Sequence, residues 1–320
     1  IVFGLFLTVC GLSPAVYADE TVRIAFLDSG VSTKHLSASQ ILGGQNFVFP
    51  ENDTNDRTGH GTETAGIVLG SKDGTVPGIF PQAVIVPLVC SDRYPSGVSE
   101  RVSAEEVAKA VYAAVDTYSC RVINISLGFS EDFPSLREAV EYAEQKDVLI
   151  VAAVGNDHES NPDKTYYPAA YDSVIGVGCA QNGSVASFSQ RHGVNLVTDS
   201  RFLTVGNKNS ENCLVRVGTS YACAYISGLC GRLRALYPSL SGKDIRALLY
   251  RAATDIEAVG FDADSGYGYL PAVDFRLFRS EDISVERSSL FPLQSETSIR
   301  LAVYERLKGK KADPDAAALT

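Results

Sequence analysis

The 320-residue chain contains no methionine and no tryptophan. Without Met it lacks an initiator residue, so the sequence is expected to be processed or to start downstream of the natural start. Histidine is nearly as scarce, at four residues, and the seven cysteines include no Cys-x-x-Cys pair. A zinc site therefore has no support. Basic charge is also short: 28 Lys and Arg face 38 Asp and Glu, a net charge of −10. That balance argues against binding to nucleic acid or to anionic membranes. The overall balance of apolar and charged residues excludes a multi-span membrane protein, and the uncharged stretch Ile1–Ala18, interrupted by Pro14, is at the short limit for a single anchoring span. What is present is ordinary for a globular protein, with 45% hydrophobic and 21% charged residues. The length is enough for a single α/β domain of about 250 residues with a sizeable core.

The chain divides into three parts. Ile1–Ala18 is apolar and ends in Val16-Tyr17-Ala18, small residues at the positions that precede a cleavage point, just before Asp19-Glu20. It reads as a secretory signal peptide, and the protein is expected to be secreted or extracytoplasmic, in the cell envelope if the segment is retained. Once Cys10 is removed with it, Cys90, Cys120, Cys179, Cys213, Cys223 and Cys230 remain. Export permits disulfides, yet several of these flank apolar runs, where buried free thiols serve equally well. Residues 19–274 read as one domain, and 275–320 as a C-terminal extension without recognisable chemistry.

Within the middle part, short β-branched apolar runs recur at Val22–Leu27, Ala83–Val89, Val122–Leu127, Val148–Val154 and Val174–Val177. Continuous apolarity of this kind marks strands covered on both faces. Between them lie helical patterns. Ser103–Glu106 and Ser135–Glu138 each spell a capping box, and a small-residue helix is predicted over Thr219–Leu236. The alternation predicts an α/β domain with a parallel sheet and right-handed crossovers, in which active sites gather at the carboxyl ends of strands.

Four residues stand at those ends. Asp28 follows the first strand and precedes Ser29-Gly30. His60 lies in Gly59-His60-Gly61-Thr62, where flanking glycines cost helix stability but permit close approach. Asn156 follows Gly155 after the Val148–Val154 strand, and Ser220 opens the predicted helix in Gly218-Thr219-Ser220-Tyr221-Ala222. Taken singly, each has a structural explanation as a cap or turn former. Together, Asp28, His60, Asn156 and Ser220 supply an orienting carboxylate, a base, an oxyanion donor and a nucleophile, which is what acyl transfer requires. The order Asp, His, Ser is one of the known triad orders. His35, His158 and His192 are expected to face solvent.

The segments around DSG, GHGT, AAVGN and GTSYA resemble the subtilisin-like serine proteases, and the resemblance runs from about Thr21 to Asp274. Val122–Gly128, Tyr167-Pro168-Ala169, Val174–Gly178 and Gly266-Tyr267-Gly268 extend it. The resemblance implies a three-layer α/β fold with a central, mostly parallel sheet and helices on both faces. It implies a serine endopeptidase working through an acyl-enzyme. Ser220 would attack, His60 would act as base and then acid, and Asp28 would fix the imidazole. Asn156 and the Ser220 backbone N–H would hold the oxyanion. Ser126, Leu127 and Gly128 would pair with the substrate as an added strand, and Ala152, Ala153, Val154 and Gly155 would line the first specificity pocket.

The sequence departs from the family pattern in places. Ala224 and Tyr225 replace a usual Pro-His after the nucleophile, and Glu63-Thr64 follow Gly-Thr where His-Val is common. Glu63, three residues from His60, reads as a solvated side chain, the alternative being a close, partly buried carboxylate that raises the His60 pKa modestly. Only Asp19 and Glu20 separate the predicted cleavage point from the first strand, which leaves no room for the prodomain most secreted members carry. Such departures keep open a catalytically silent binding or regulatory relative. Catalysis is expected to need no cofactor and no metal. Structural calcium is conceivable without a mapped site, and the acidic stretch Asn52–Asp56 reads as a solvated turn. The expected partner is a polypeptide substrate, with no nucleic acid, no membrane span after signal cleavage, and a monomeric state. Activity is expected to fall on acidification through an unperturbed His60, near ~6.5.

Overall fold

The computed structural model describes residues 21–93, 100–206 and 213–272. The predicted signal segment, Cys10 and the C-terminal extension lie outside the described residues. Strands and helices alternate along the chain: β1 (Arg23–Asp28), β2 (Gln45–Asn46), α1 (His60–Leu69), β3 (Val84–Val89), β4 (Ser91–Arg93) and β5 (Glu100–Val102) come first. Then follow α2 (Ala104–Asp116), β6 (Val122–Ile125), α3 (Pro134–Gln145), β7 (Leu149–Ala153), β8 (Ile175–Gln181) and β9 (Ser184–Val185). The last are β10 (Leu196–Asp199), β11 (Arg201–Val205), β12 (Cys213–Val217), α4 (Thr219–Leu236) and α5 (Gly242–Ala252).

One sheet runs β10-β8-β7-β6-β1-β3-β2, every pair on that path parallel, with β9 added antiparallel to β8. Its central strands are apolar on both faces because both faces are covered. In β1, Ile24 and Phe26 join the core beneath α1 and α4, whereas Ala25 and Leu27 join the core beneath α2 and α3. In β7, Leu149, Val151 and Ala153 take the first side and Ile150 and Ala152 the second. The expected three-layer α/β architecture is therefore present. β11 and β12 form a separate antiparallel hairpin, and β12 leads directly into α4.

Several local expectations need correction. β6 ends at Ile125 rather than Leu127, so Ser126–Gly128 emerge beyond the ladder. Ser103 does cap α2, accepting the Glu106 N–H at 3.4 Å, but the Glu106 carboxylate turns to Arg101 (2.6 Å) and the box stays half made. α3 starts earlier than Ser135, with Phe133 at the cap position and Pro134 at the first turn, where a missing N–H costs nothing. The six cysteines of the described chain are all free, Cys213 exposed and the other five buried.

Candidate active site

The carboxyl ends of β7, β6 and β1 lie side by side in the sheet, and the expected residues collect there. Asp28 is the last residue of β1 and is buried. Its Oδ1 lies 2.7 Å from Nδ1 of His60, the first residue of α1, and also accepts the Ser29 N–H at 2.7 Å. Its Oδ2 accepts from the Thr64 hydroxyl at 3.2 Å. In the sequence Thr64 is marked only as a departure from the family pattern, although a buried carboxylate needs such donors.

The glycines around His60 have a physical reason. Gly59 takes φ +103, a left-handed conformation that a side chain would strain. At Gly61 a Cβ would collide with the Gly30 carbonyl oxygen and stand 3.2 Å from Asp28 Oδ1. Only glycine there lets α1 approach β1 closely enough for His60 to meet Asp28. With no side-chain cap at Gly59, the free N–H groups of this helix end turn to Asp56. Asp56 accepts from the N–H groups of Thr58, Gly59 and Thr62 and from the hydroxyls of Ser29 and Thr62, at 2.6–3.0 Å. The solvated-turn reading of Asn52–Asp56 therefore fails at Asp56, which is buried as the anionic anchor of the His60 helix. Asp53 of the same stretch is exposed and pairs with Arg57 at 2.9 Å.

Glu63 also departs from expectation: it is 4% exposed rather than solvated. Its carboxylate takes a two-pronged ion pair from Arg216 of β12 (Nε–Oε2 and Nη2–Oε1, both 2.7 Å) and the Tyr221 hydroxyl of α4 at 3.0 Å. Neither Arg216 nor Tyr221 was marked by the sequence. The Tyr221 ring lies 5.8 Å from the His60 ring, centroid to centroid. Burial and the Glu63 charge push the Tyr221 hydroxyl up, so it stays a donor. Around His60, whose side chain keeps one edge open at 36% exposure, burial is the largest influence and opposes the charged form. The charge and hydrogen bond of Asp28, with Glu63 and Asp56 behind, outweigh it and raise His60 to about 9 rather than the unperturbed 6.5.

Ser220 is the second residue of α4, entered through Gly218 at φ +142. Its Oγ faces the Ser126 carbonyl oxygen at 3.5 Å and makes no hydrogen bond to His60 among the described residues. The Ser220 N–H, in the first turn of the helix, has no partner among the described residues. Asn156 is exposed, and its Oδ1 accepts the Thr219 N–H at 2.8 Å. That bond fixes the side-chain amide with Nδ2 available as donor.

Ser126 is tethered, its Oγ receiving from Asn124 Nδ2 at 3.0 Å and donating to the Ser220 carbonyl at 3.2 Å. Leu127 and Gly128 make no backbone hydrogen bonds among the described residues, so their edge is open. Ala152 and Val154 point into the core on the α2 and α3 side and Ala153 into the α4 side, so this segment offers main chain and Gly155 to the surface. The Tyr166 ring is seated there, 2.8 Å from where a Gly155 Cβ would be and 3.2 Å from Tyr166 Cβ to that of Gly128. Its hydroxyl donates to Asp157 at 2.8 Å. A cleft of about 590 Å³ is lined by Asp28, His60, Ser126, Leu127 and Val102 together with Glu63, Arg216 and Tyr221.

Residues 19–268 match the model of the subtilase family, peptidase S8. The chain belongs to this family. It is 31% identical over 244 residues to subtilisin DY of Bacillus licheniformis, covering 75% of this chain and 86% of that one. It is 31% identical over 273 residues to the major intracellular serine protease of Bacillus subtilis, covering 80% and 83%. Among solved structures, sphericase superposes with a TM-score of 0.68 at 28% identity, over 78% of this chain and 91% of that chain. This subtilase is thus a subtilisin-like serine endopeptidase, and its relatives include a protease named as intracellular.

Ala224 and Tyr225 are buried within an unbroken α4, with the Tyr225 ring 5.7 Å from Phe202. His192 is exposed, as read from the sequence, but His35 Nε2 and His158 Nδ1 are buried without hydrogen-bond partners among the described residues. Among the described residues no group of three or more His, Cys, Asp or Glu could hold a metal, and no helix is long and apolar enough to cross a membrane.

Proposed function

We propose that this subtilase hydrolyses peptide bonds through an acyl-enzyme formed on Ser220, with His60 as base, Asp28 as its orienting carboxylate and Asn156 as oxyanion donor. The observation that carries the reading is the 2.7 Å contact between buried Asp28 and His60 Nδ1, in a cleft also lined by Tyr221, the neighbour of Ser220 in the first turn of α4. Bound at Nδ1, the imidazole presents Nε2 to the nucleophile.

The substrate chain adds as a strand along the open edge of Leu127–Gly128, which brings its scissile carbonyl to Ser220. Ser220 Oγ attacks the carbonyl carbon and its proton passes to His60 Nε2. The imidazolium formed is held by Asp28. Negative charge on the carbonyl oxygen is met by the Ser220 N–H, aided by the positive end of α4, and by Asn156 Nδ2. His60 then returns the proton to the departing amine, leaving an ester on Ser220. Water, deprotonated by His60, hydrolyses the ester and restores the free hydroxyl. The side chain preceding the scissile bond enters the slot between Ser126–Gly128 and Ala152–Gly155, where the Tyr166 ring limits its size.

Export is part of the same proposal and rests on the signal-like Ile1–Ala18. The catalytic reading is tested with a fluorophosphonate probe. One equivalent of label should bind the folded protein and vanish in Ser220→Ala; a folded protein that takes no label would instead support a silent binding relative.

A further inference from the structure

We infer that Glu63 is a positioning residue for the reaction, joining the helix of the base to the helix and strand of the nucleophile. Three elements converge on its buried carboxylate. Glu63 stands on α1, one turn along from His60. Arg216 reaches it from β12, four residues before Ser220, with two bonds of 2.7 Å. Tyr221 reaches it from α4, adjacent to Ser220, at 3.0 Å. His60 and Ser220 have no direct hydrogen bond among the described residues, so their relative placement rests on how α1, β12 and α4 are held together. The Glu63 junction is a polar tie that spans all three.

Its chemistry suits that task. A carboxylate taking a parallel pair of N–H bonds from a guanidinium is fixed in plane as well as in distance. The third bond, from a hydroxyl held as a donor, locks the orientation of the Tyr221 ring, which packs beside His60. Because a methyl at Gly66, also on α1, would meet Thr204 and Val205 of β11, the hairpin and α1 are in close contact below the junction too. The Thr204 hydroxyl donates to the Glu63 carbonyl, which binds the main chain of the same residue to the hairpin. The pair is not a generic surface ion pair, since Glu63 is 4% exposed and Arg216 lines the cleft.

The groups that bear on His60 are Asp28 from β1, Asp56 from the segment before α1, Glu63 from its own helix and the Tyr221 ring from α4, while Arg216 from β12 acts through its pair with Glu63. Removing one charge from the Glu63–Arg216 pair should therefore move the pH dependence of catalysis, and in opposite senses for the two partners. Three variants, Glu63→Gln, Arg216→Gln and Tyr221→Phe, are assayed for kcat and KM on a short unstructured peptide, per active site titrated with a fluorophosphonate. Tyr221→Phe is expected to lose about tenfold in kcat with KM within about twofold. The acid limb of kcat/KM should move to lower pH in Glu63→Gln and to higher pH in Arg216→Gln.

The inference rests on the proposed roles of His60 and Ser220, and the two fail differently. If the roles are wrong, the unmodified chain takes no label. If only the positioning role is wrong, all variants that fold label normally, keep kcat within twofold, and show superimposable pH limbs, whatever their melting temperatures do. Should Glu63→Gln fail to fold, the Tyr221→Phe kcat and the Arg216→Gln limb decide the matter alone.

Discussion

The acid limb of the pH–rate profile is the most quantitative consequence of the site. His60 must be neutral to accept the Ser220 proton, yet its surroundings favour the imidazolium. Burial resists the charge, but Asp28 at 2.7 Å, with Glu63 and Asp56 behind it, carries the group to about 9. At pH 7, two units lower, only about 1% of the free enzyme holds the neutral ring, so kcat/KM should lie about 100-fold below its alkaline plateau. The slope of log(kcat/KM) against pH should be close to one across the neutral range. The assay is initial-rate hydrolysis of a chromogenic peptide ester or amide from pH 6 to 11 at substrate well below KM, with stability checked at each pH. A midpoint at or below the unperturbed 6.5, or a flat profile between pH 6 and 8, would refute the reasoning. The same shift acts on folding. A histidine raised in the folded state stabilises the fold fully below the unfolded value of 6.5, and that contribution disappears as pH climbs through about 9. Catalysis and this part of stability should therefore move in opposite directions as the solution becomes alkaline.

Further outcomes follow from individual contacts. Asn156→Ala removes a donor that acts on the oxyanion, so kcat should fall about 10²–10³-fold with KM nearly unchanged, a magnitude known from subtilisin itself rather than worked from this structure. Gly61→Ala would drive α1 away from Gly30 and Asp28; we expect lost activity together with roughly 1–3 kcal/mol of destabilisation in a urea titration. Asp56→Ala leaves three backbone N–H groups at the start of α1 without an acceptor and should cost about 3 kcal/mol or more. Because Tyr166 occupies the slot beside Gly155 and Gly128, a peptide library should show cleavage after small side chains. Tyr166→Ala should raise kcat/KM for large apolar ones by about tenfold.

The central strands were readable because burial on both faces leaves continuous apolar runs, and α4 was bounded correctly at both ends. The approach of Asp28 to His60 was foreshadowed by the glycines flanking His60, since a costly residue at a helix start signals close contact. Other features were hidden for physical reasons. α5 begins with Ser241-Gly242-Lys243-Asp244, in which Gly at the first helical position imitates a turn, although Ser241 and Asp244 complete a full capping box. The β11–β12 hairpin alternates weakly because one face, with Leu203, Val215 and Val217, remains exposed. Glu63 and Asp56 look like surface carboxylates in one dimension. Their burial depends on partners far along the chain, Arg216 and Tyr221 for the first and the Ser29 hydroxyl for the second. A family pattern could not supply them either, since Glu63 stands where that pattern differs.

The claim that Ser220 carries the acyl group is tested most directly by trapping it. A slowly deacylating ester is mixed with the protein at pH 9, quenched in acid within milliseconds, and the chain is measured by mass spectrometry before and after proteolytic mapping. The account predicts a burst of one leaving group per chain, one added acyl mass, and its location on the peptide containing Ser220, with no adduct in Ser220→Ala. Steady hydrolysis without a burst, or an adduct that persists in Ser220→Ala, would contradict it.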